Sequence, residues 1–183
     1  SPAACYEVRI DLPADERMAY AAAADDDRYR LAATAPAKLE VAKTLVDKTR
    51  ILPGGPGRDG IEAVDAPTFA SVEAADAVSP EAPVVGVSIA GDARAYLLPI
   101  LEYHQVVNDE VGGVPVAVTF DPLTGVARVF ERKVGARTLR FGVSGLLYNA
   151  GFLLYDRETQ SLWSQYEGRA VAGELAGTKL RSL

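Results

Sequence analysis

"VAVTFDPLTGVARVF", residues 116–130, decides the fold. Val116, Val118 and Phe120 recur at every second position, the period of a strand whose side chains point alternately to two faces. Asp121-Pro122-Leu123-Thr124-Gly125 then supplies turn chemistry: Pro presets its own backbone angle, Asp offers the backbone a side-chain acceptor, and Gly accepts positive φ. "VARVF", from Val126 to Phe130, resumes the strand pattern. The stretch predicts a hairpin whose turn carries Asp121 and Thr124. Its surroundings must say whether the turn is a plain connection or a reactive loop.

The same texture extends on both sides. "VPVAVTF", "RTLRFGV", "GFLLYDR" and "SLWSQ" are short, rich in β-branched and aromatic residues, and bounded by Gly, Asp or Asn. Upstream, "VVGVSI" and "DARAYLL" flank "AGD", a hairpin signal. "PILEYHQVVNDEVGG" differs. Pro99 suits a helix start, and Ile100, Leu101, His104, Val107 and Asn108 recur at three- and four-residue intervals. This predicts one or two helical turns ending near Gly112-Gly113. The connections are too short for repeated parallel crossovers, so a mostly antiparallel sheet, sandwich or partial barrel is expected.

The first fifty residues read differently. Residues 14–49 are predicted helical, from the Ala-rich "ADERMAYAAAADDDRYRLAAT" and from "PAKLEVAKTLVDKTR", where Pro36 fits a first helical turn. Asp25, Asp26 and Asp27 lack the alternating spacing of a calcium loop and read as a cap or solvated face. Leu39, Ala42, Leu45 and Val46 share one helical face, best read as packing on the rest of the protein and otherwise as docking a partner. "ILPGGPGRDG", with four Gly and two Pro, breaks any helix. "TFASVEAADAVS" is expected to form a short helix ending at Pro80. The reading is therefore a helical extension over 1–50 and a β-rich domain over 51–183. The fold class is α+β, β-rich, with peripheral N-terminal helices.

Composition narrows the function. The chain has 183 residues, is 49% hydrophobic and 24% charged, and carries a formal net charge of -6. With no basic cluster, that charge disfavours nucleic acid and acidic membrane surfaces. No apolar run approaches the roughly 20 residues of a membrane-spanning helix. One cysteine, Cys5, precludes an internal disulfide. "SPAAC" places small residues before Cys5, as at a lipid-attachment site, but Pro2 fits that signal poorly and a free thiol near the terminus is the plainer reading. The opening Ser1 is compatible with removal of an export leader.

Chemistry-bearing signals are sparse. No phosphate-cradling or dinucleotide-binding glycine loop is present. "GVSGL" suggests Ser144 as a nucleophile, but an elbow needs Gly where Leu146 stands, so a Ser-Gly turn between strands is the simpler reading. His104 is the only histidine, which excludes a zinc site built from several His and Cys. With Glu102, Asp109 or Asp121 it would suit a divalent ion. Its structural alternative is a ring bonded to a backbone carbonyl. Trp163 and Tyr148 are large amphipathic groups. A core Trp163 needs one acceptor for its indole N–H. An inward-facing Arg94 needs a carboxylate or a bound anion.

Several blocks together, "GDARAYLLPILEYHQVVND", "GGVPVAVTFDPLTG", "LRFGVSGLLYNAGFLLYDRETQSLWSQ" and "AGELAGTKL", resemble the prokaryotic domain of unknown function 3179, from about residue 58 to Leu183. The resemblance implies an extracytoplasmic protein, whether periplasmic, secreted or lipid-anchored. That family usually shows Trp-His where this chain has Tyr103-His104. It shows Thr-Tyr-Cys-Pro-Leu-Cys-Gly where this chain has "TFDPLTG". Two cysteines in such a loop would exchange disulfides or grip Cu(I). Here Asp121 and Thr124 replace them with hard oxygen donors, so the resemblance implies either a weaker site for a divalent or copper ion at His104 and Asp121, or no metal at all. The preferred expectation is a non-catalytic binding module. Its pocket near His104 and Asp121 would draw on Arg94, Tyr103, Thr124, Tyr148 and Trp163, with a small ligand or an envelope protein as partner. The alternatives are an enzyme using a His104/Asp121 acid–base or metal site, and a structural protein of the cell envelope.

Overall fold

The structure, a computed structural model, describes residues 7–8, 43–75 and 78–183. In chain order the first strands are β1 (Glu7–Val8), β2 (Ile51–Pro53), β3 (Val64–Asp65), β4 (Phe69–Ala70), β5 (Val84–Ile89) and β6 (Asp92–Leu97). The helix α1 (Leu98–His104) leads into β7 (Val106–Val111), β8 (Val114–Asp121) and β9 (Val126–Glu131). The small β10 (Lys133–Val134) and β11 (Arg137–Thr138) precede β12 (Phe141–Tyr148), β13 (Gly151–Asp156), β14 (Leu162–Ser164) and β15 (Arg169–Ala172). The fold is β-rich α+β, mostly antiparallel, and among the described residues no sheet closes into a barrel.

The middle layer is the sheet β3-β7-β8-β9. Alternation along its strands feeds two cores. Val106 and Ala117 face one core with Phe130, Phe141, Phe152, Leu154 and Trp163, against the sheet β15-β14-β13-β12-β2. Val107, Val116, Val118 and Phe120 face the other, with Leu101 of α1 and Val87 and Tyr96 of the sheet β4-β1-β6-β5. Burial on both faces is why β8, Val114–Asp121, reads as a near-continuous apolar run. In β13, Phe152 and Leu154 enter the first core, while Leu153 and Tyr155 turn to a third with Ile51 and Leu162. Asn108 fastens the middle sheet to the five-stranded sheet: its amide donates to Asp65 and to the Phe141 carbonyl, and its oxygen accepts from the Phe141 N–H, all at 2.8 Å.

The expected hairpins form. Ala90 and Gly91 have φ of 50° and 85° between β5 and β6, the conformation a two-residue hairpin turn requires. Gly112 and Gly113, at 54° and 76°, turn β7 into β8, and a Cβ at Gly112 would lie 2.2 Å from the Ile89 carbonyl oxygen.

Three expectations are corrected. The helix begun at Pro99 stops at His104, because Gln105 takes φ 62° and left-handed geometry. Val107 and Asn108 then lie in β7, where pairing to β3 and β8 overrides their helical spacing. Residues 43–49 are not α-helical. Thr44 bridges Ala172, Leu45 N–H donates to the Val171 carbonyl, and Asp47 caps a single 3-10 turn at Lys48–Arg50. Val46 packs on the third core while Leu45 stays exposed. "TFASVEAADAVS" gives β4 and one 3-10 turn, Val72–Ala74, because Phe69 is drawn into strand pairing with β1 and into edge-on contact with Tyr96. The predicted helix over 14–42, the Asp25–Asp27 run, Leu39, Ala42 and Cys5 lie outside the described residues.

Candidate functional site

Asp121 ends β8 and opens the turn to β9. Its carbonyl accepts from the Gly125 N–H at 2.8 Å, and Gly125 takes φ 68° to close the loop. Its side chain is 1% exposed. One carboxylate oxygen accepts from the Leu123 N–H at 3.0 Å, the local turn bond for which Asp is suited. The other accepts from the Phe152 N–H at 3.2 Å, on β13. No Lys, Arg or His among the described residues pairs with it. A buried charge is ordinarily paired or heavily hydrogen-bonded; here two backbone amides carry it.

Asp121 also walls two cavities. One, of about 140 Å³, is largely apolar, with Ile61, Leu123, Leu147 and Phe152 in its lining and Gln105 beside Asp121 as the polar side chains. The Gln105 side-chain amide makes no hydrogen bond among the described residues, while its backbone N–H donates to the Leu101 carbonyl at 2.7 Å. The Gly54-Gly55-Pro56 segment lines the same cavity and packs tightly on β12: the Gly54 N–H donates to the Gly145 carbonyl at 2.9 Å, and a Cβ at Gly54 would strike Leu147 at 2.3 Å. The second cavity, of about 400 Å³, has both polar and aromatic side chains in its lining. Thr124 and Asp121 enter it from the turn, Tyr148 and Asn149 from the β12–β13 hairpin, and Tyr166 and Glu167 from the β14–β15 turn. Tyr166 is 68% exposed at the rim. Gln165 fixes that turn to the β8–β9 hairpin, donating to Thr119 Oγ1 at 3.2 Å and the Val126 carbonyl at 2.9 Å.

The predicted residues divide. Asp121, Thr124 and Tyr148 meet at the second cavity. His104 is buried at the end of α1, and its Nδ1 lies 2.7 Å from the Glu62 carbonyl oxygen. A carbonyl only accepts, so Nδ1 holds a proton; Nε2 is buried without a partner. His104 and Asp121 share no hydrogen bond. His104 lines neither cavity; its neighbour Gln105 does. Tyr103 stacks edge-on against His104 at 4.9 Å. Trp163 is fully buried, edge-on to Phe141, and its indole N–H donates to Asp156 at 2.8 Å.

Arg94 lies in a separate cluster. It donates to both Asp109 oxygens at 2.7 Å and to Asp92 at 3.0 Å, and sits 4.5 Å over the Phe69 ring. Asp109 also accepts from the Tyr96 hydroxyl and the Glu110 N–H. Burial and then this bond to Asp109 push the Tyr96 hydroxyl far above its ordinary range. The Gly112 N–H, followed by Arg94, holds the Asp92 carboxyl below its ordinary value.

Among the described residues no group of three or more His, Cys, Asp and Glu is placed to hold a metal ion. A metal at His104 and Asp121 would need its remaining ligands from elsewhere, and Asp109 and Glu102 do not supply them. Ser144 is no turn but part of a bulge within β12: its hydroxyl donates to the Leu153 carbonyl at 2.5 Å and accepts from the Leu146 N–H. Sequence reading missed Gln105, Asn149, Tyr166 and Glu167. The "LYNAG" turn signal was available for Asn149, which takes φ 51° in the turn.

The chain is 52% identical over 46 residues to the DNA 3'-5' helicase XPB of Kineococcus radiotolerans, covering 25% of this chain and 8% of that protein. It is 42% identical over 48 residues to the DNA 3'-5' helicase XPB of Mycobacterium tuberculosis, covering 26% of this chain and 9% of that protein. The chain thus spans under a tenth of the length of these relatives. No solved structure matches it. The family described as "Protein of unknown function (DUF3179)" matches residues 58–183, from the loop before β3 to the last residue, and the chain belongs to that family.

Proposed function

We propose that this protein is a non-catalytic, extracytoplasmic binding module whose small ligand sits against Asp121. The observation that carries the reading is one buried carboxylate walling two cavities while lacking a cationic partner. Pockets of a few hundred Å³ with a few converging polar groups are the usual form of ligand sites. The two-thiol chemistry implied for relatives is unavailable to Asp121 and Thr124. Export rests on the resemblance to a family often found in exported proteins. No helix among the described residues is long and apolar enough to cross a membrane.

Titration of the full chain with a mixed library of neutral and charged fragments, followed by amide NMR, tests the reading. Saturable shifts are expected at residues 121–125 and 148–152. Thr124→Trp fills the larger cavity from an exposed position and is expected to abolish shifts from ligands of that cavity. A library that moves none of these amides contradicts the proposal.

A further inference from the structure

We infer that the ligand of the larger cavity is a small organic ammonium ion, a reading that rests on the binding site proposed above. Charge comes first. Two carboxylates, Asp121 and Glu167, line this cavity, and neither it nor its apolar neighbour is lined by Lys or Arg. Glu167 is already shared with Arg169 at 2.6 Å. Asp121 is not shared. Each of its oxygens spends one lone-pair direction on a backbone N–H and keeps the other. An anionic ligand would find no cationic side chain in the lining, whereas a cation would complete Asp121.

Shape and surface chemistry select the kind of cation. The cavity, about 400 Å³, is far larger than a bare metal ion, and no three-donor metal group exists among the described residues. Two tyrosine rings, Tyr148 and Tyr166, line it. Aromatic faces attract alkylammonium groups through the ring quadrupole while accepting their methyl surface. The Arg50 guanidinium already lies over one face of the Tyr148 ring, 5.8 Å from its centroid, and leaves a ligand the opposite face. Tyr166 is exposed at the rim, without an aromatic or cationic neighbour among the described residues. Thr124, Asn149 and Ser164 add groups that bond a hydroxyl or carbonyl elsewhere on the ligand.

Calorimetric titration with choline and with its neutral isostere 3,3-dimethylbutan-1-ol tests this, because the pair differ in charge at nearly constant shape. Choline is expected to bind about tenfold more tightly than the alcohol. Asp121→Asn removes most of that preference, and Tyr166→Ala weakens choline. If Asp121→Asn fails to fold, Glu167→Gln at the rim serves in its place, weakening choline and sparing the alcohol. Equal affinity for both probes, abolished by Thr124→Trp, overturns the ammonium inference and leaves the binding site standing. Binding of neither probe also overturns the inference, while the fragment titration decides the site separately.

Discussion

Asp109 and Asp121 are both buried carboxylates, 7% and 1% exposed, on neighbouring strands of the same sheet. Asp109 is closed: Arg94, the Tyr96 hydroxyl and the Glu110 N–H fill its oxygens, and a cation neutralises it. Asp121 is uncompensated: two backbone amides hold it, no cation among the described residues balances it, and it stands in the walls of two cavities. A carboxylate of the first kind ties strands together. One of the second kind is positioned by the fold and left with capacity to bind. Burial alone does not separate the two; their partners do.

That contrast is broken most severely by Asp109→Ala. It strands the Arg94 charge and the Tyr96 hydroxyl, and is expected to cost about 3 kcal/mol, the lower end for a broken buried pair because Arg94 keeps some contact with water. Denaturant unfolding measures it, and binding to the folded fraction should be unchanged. Asp121→Asn should cost less, about 1–2 kcal/mol, since one backbone N–H then faces an amide donor instead of an acceptor. Its larger effect should fall on ammonium affinity.

Tyr96→Phe is expected to cost about 1 kcal/mol at neutral pH through the lost bond to Asp109. Its pH signature is more telling. The folded protein holds the Tyr96 proton above the ordinary value of 10.0. Its contribution is therefore complete below that value and lost as pH rises above it, where the unfolded chain ionises first. Stability curves taken upward from neutral pH should fall less steeply above pH 10 in Tyr96→Phe. Smallest in stability are Thr124→Trp and Tyr166→Ala, both at exposed positions and expected within about 0.5 kcal/mol of the parent. Their effect should appear in binding alone.

The sequence disclosed strands better than helices for a physical reason. The 116–130 hairpin joins a period of two to a turn whose Asp, Pro and Gly each have a job, and all of it forms. In "PILEYHQVVNDEVGG" the helical spacing was real, but β7 is buried on both faces and accepts apolar residues at any spacing. Only the conformation of Gln105 marks the break, and nothing in the residue type announces it. The Leu45–Val46 stripe misled in the same way, because Val46 packs from an irregular segment. At the site, the turn residues Asp121 and Thr124 were legible from local chemistry. Tyr148 joined them through hairpin packing. Arg94, expected to need a partner if it faced inward, pairs with Asp109, and the Trp163 indole N–H finds its acceptor at Asp156. Tyr166 and Glu167 became visible only when β14 and β15 folded their turn over the 121–125 loop.

The most direct test is a crystal structure of the protein soaked with choline. The account predicts density in the larger cavity, with the ammonium between the Asp121 carboxylate and the rings of Tyr148 and Tyr166. An empty cavity at saturating choline, or one filled by side chains, would contradict it.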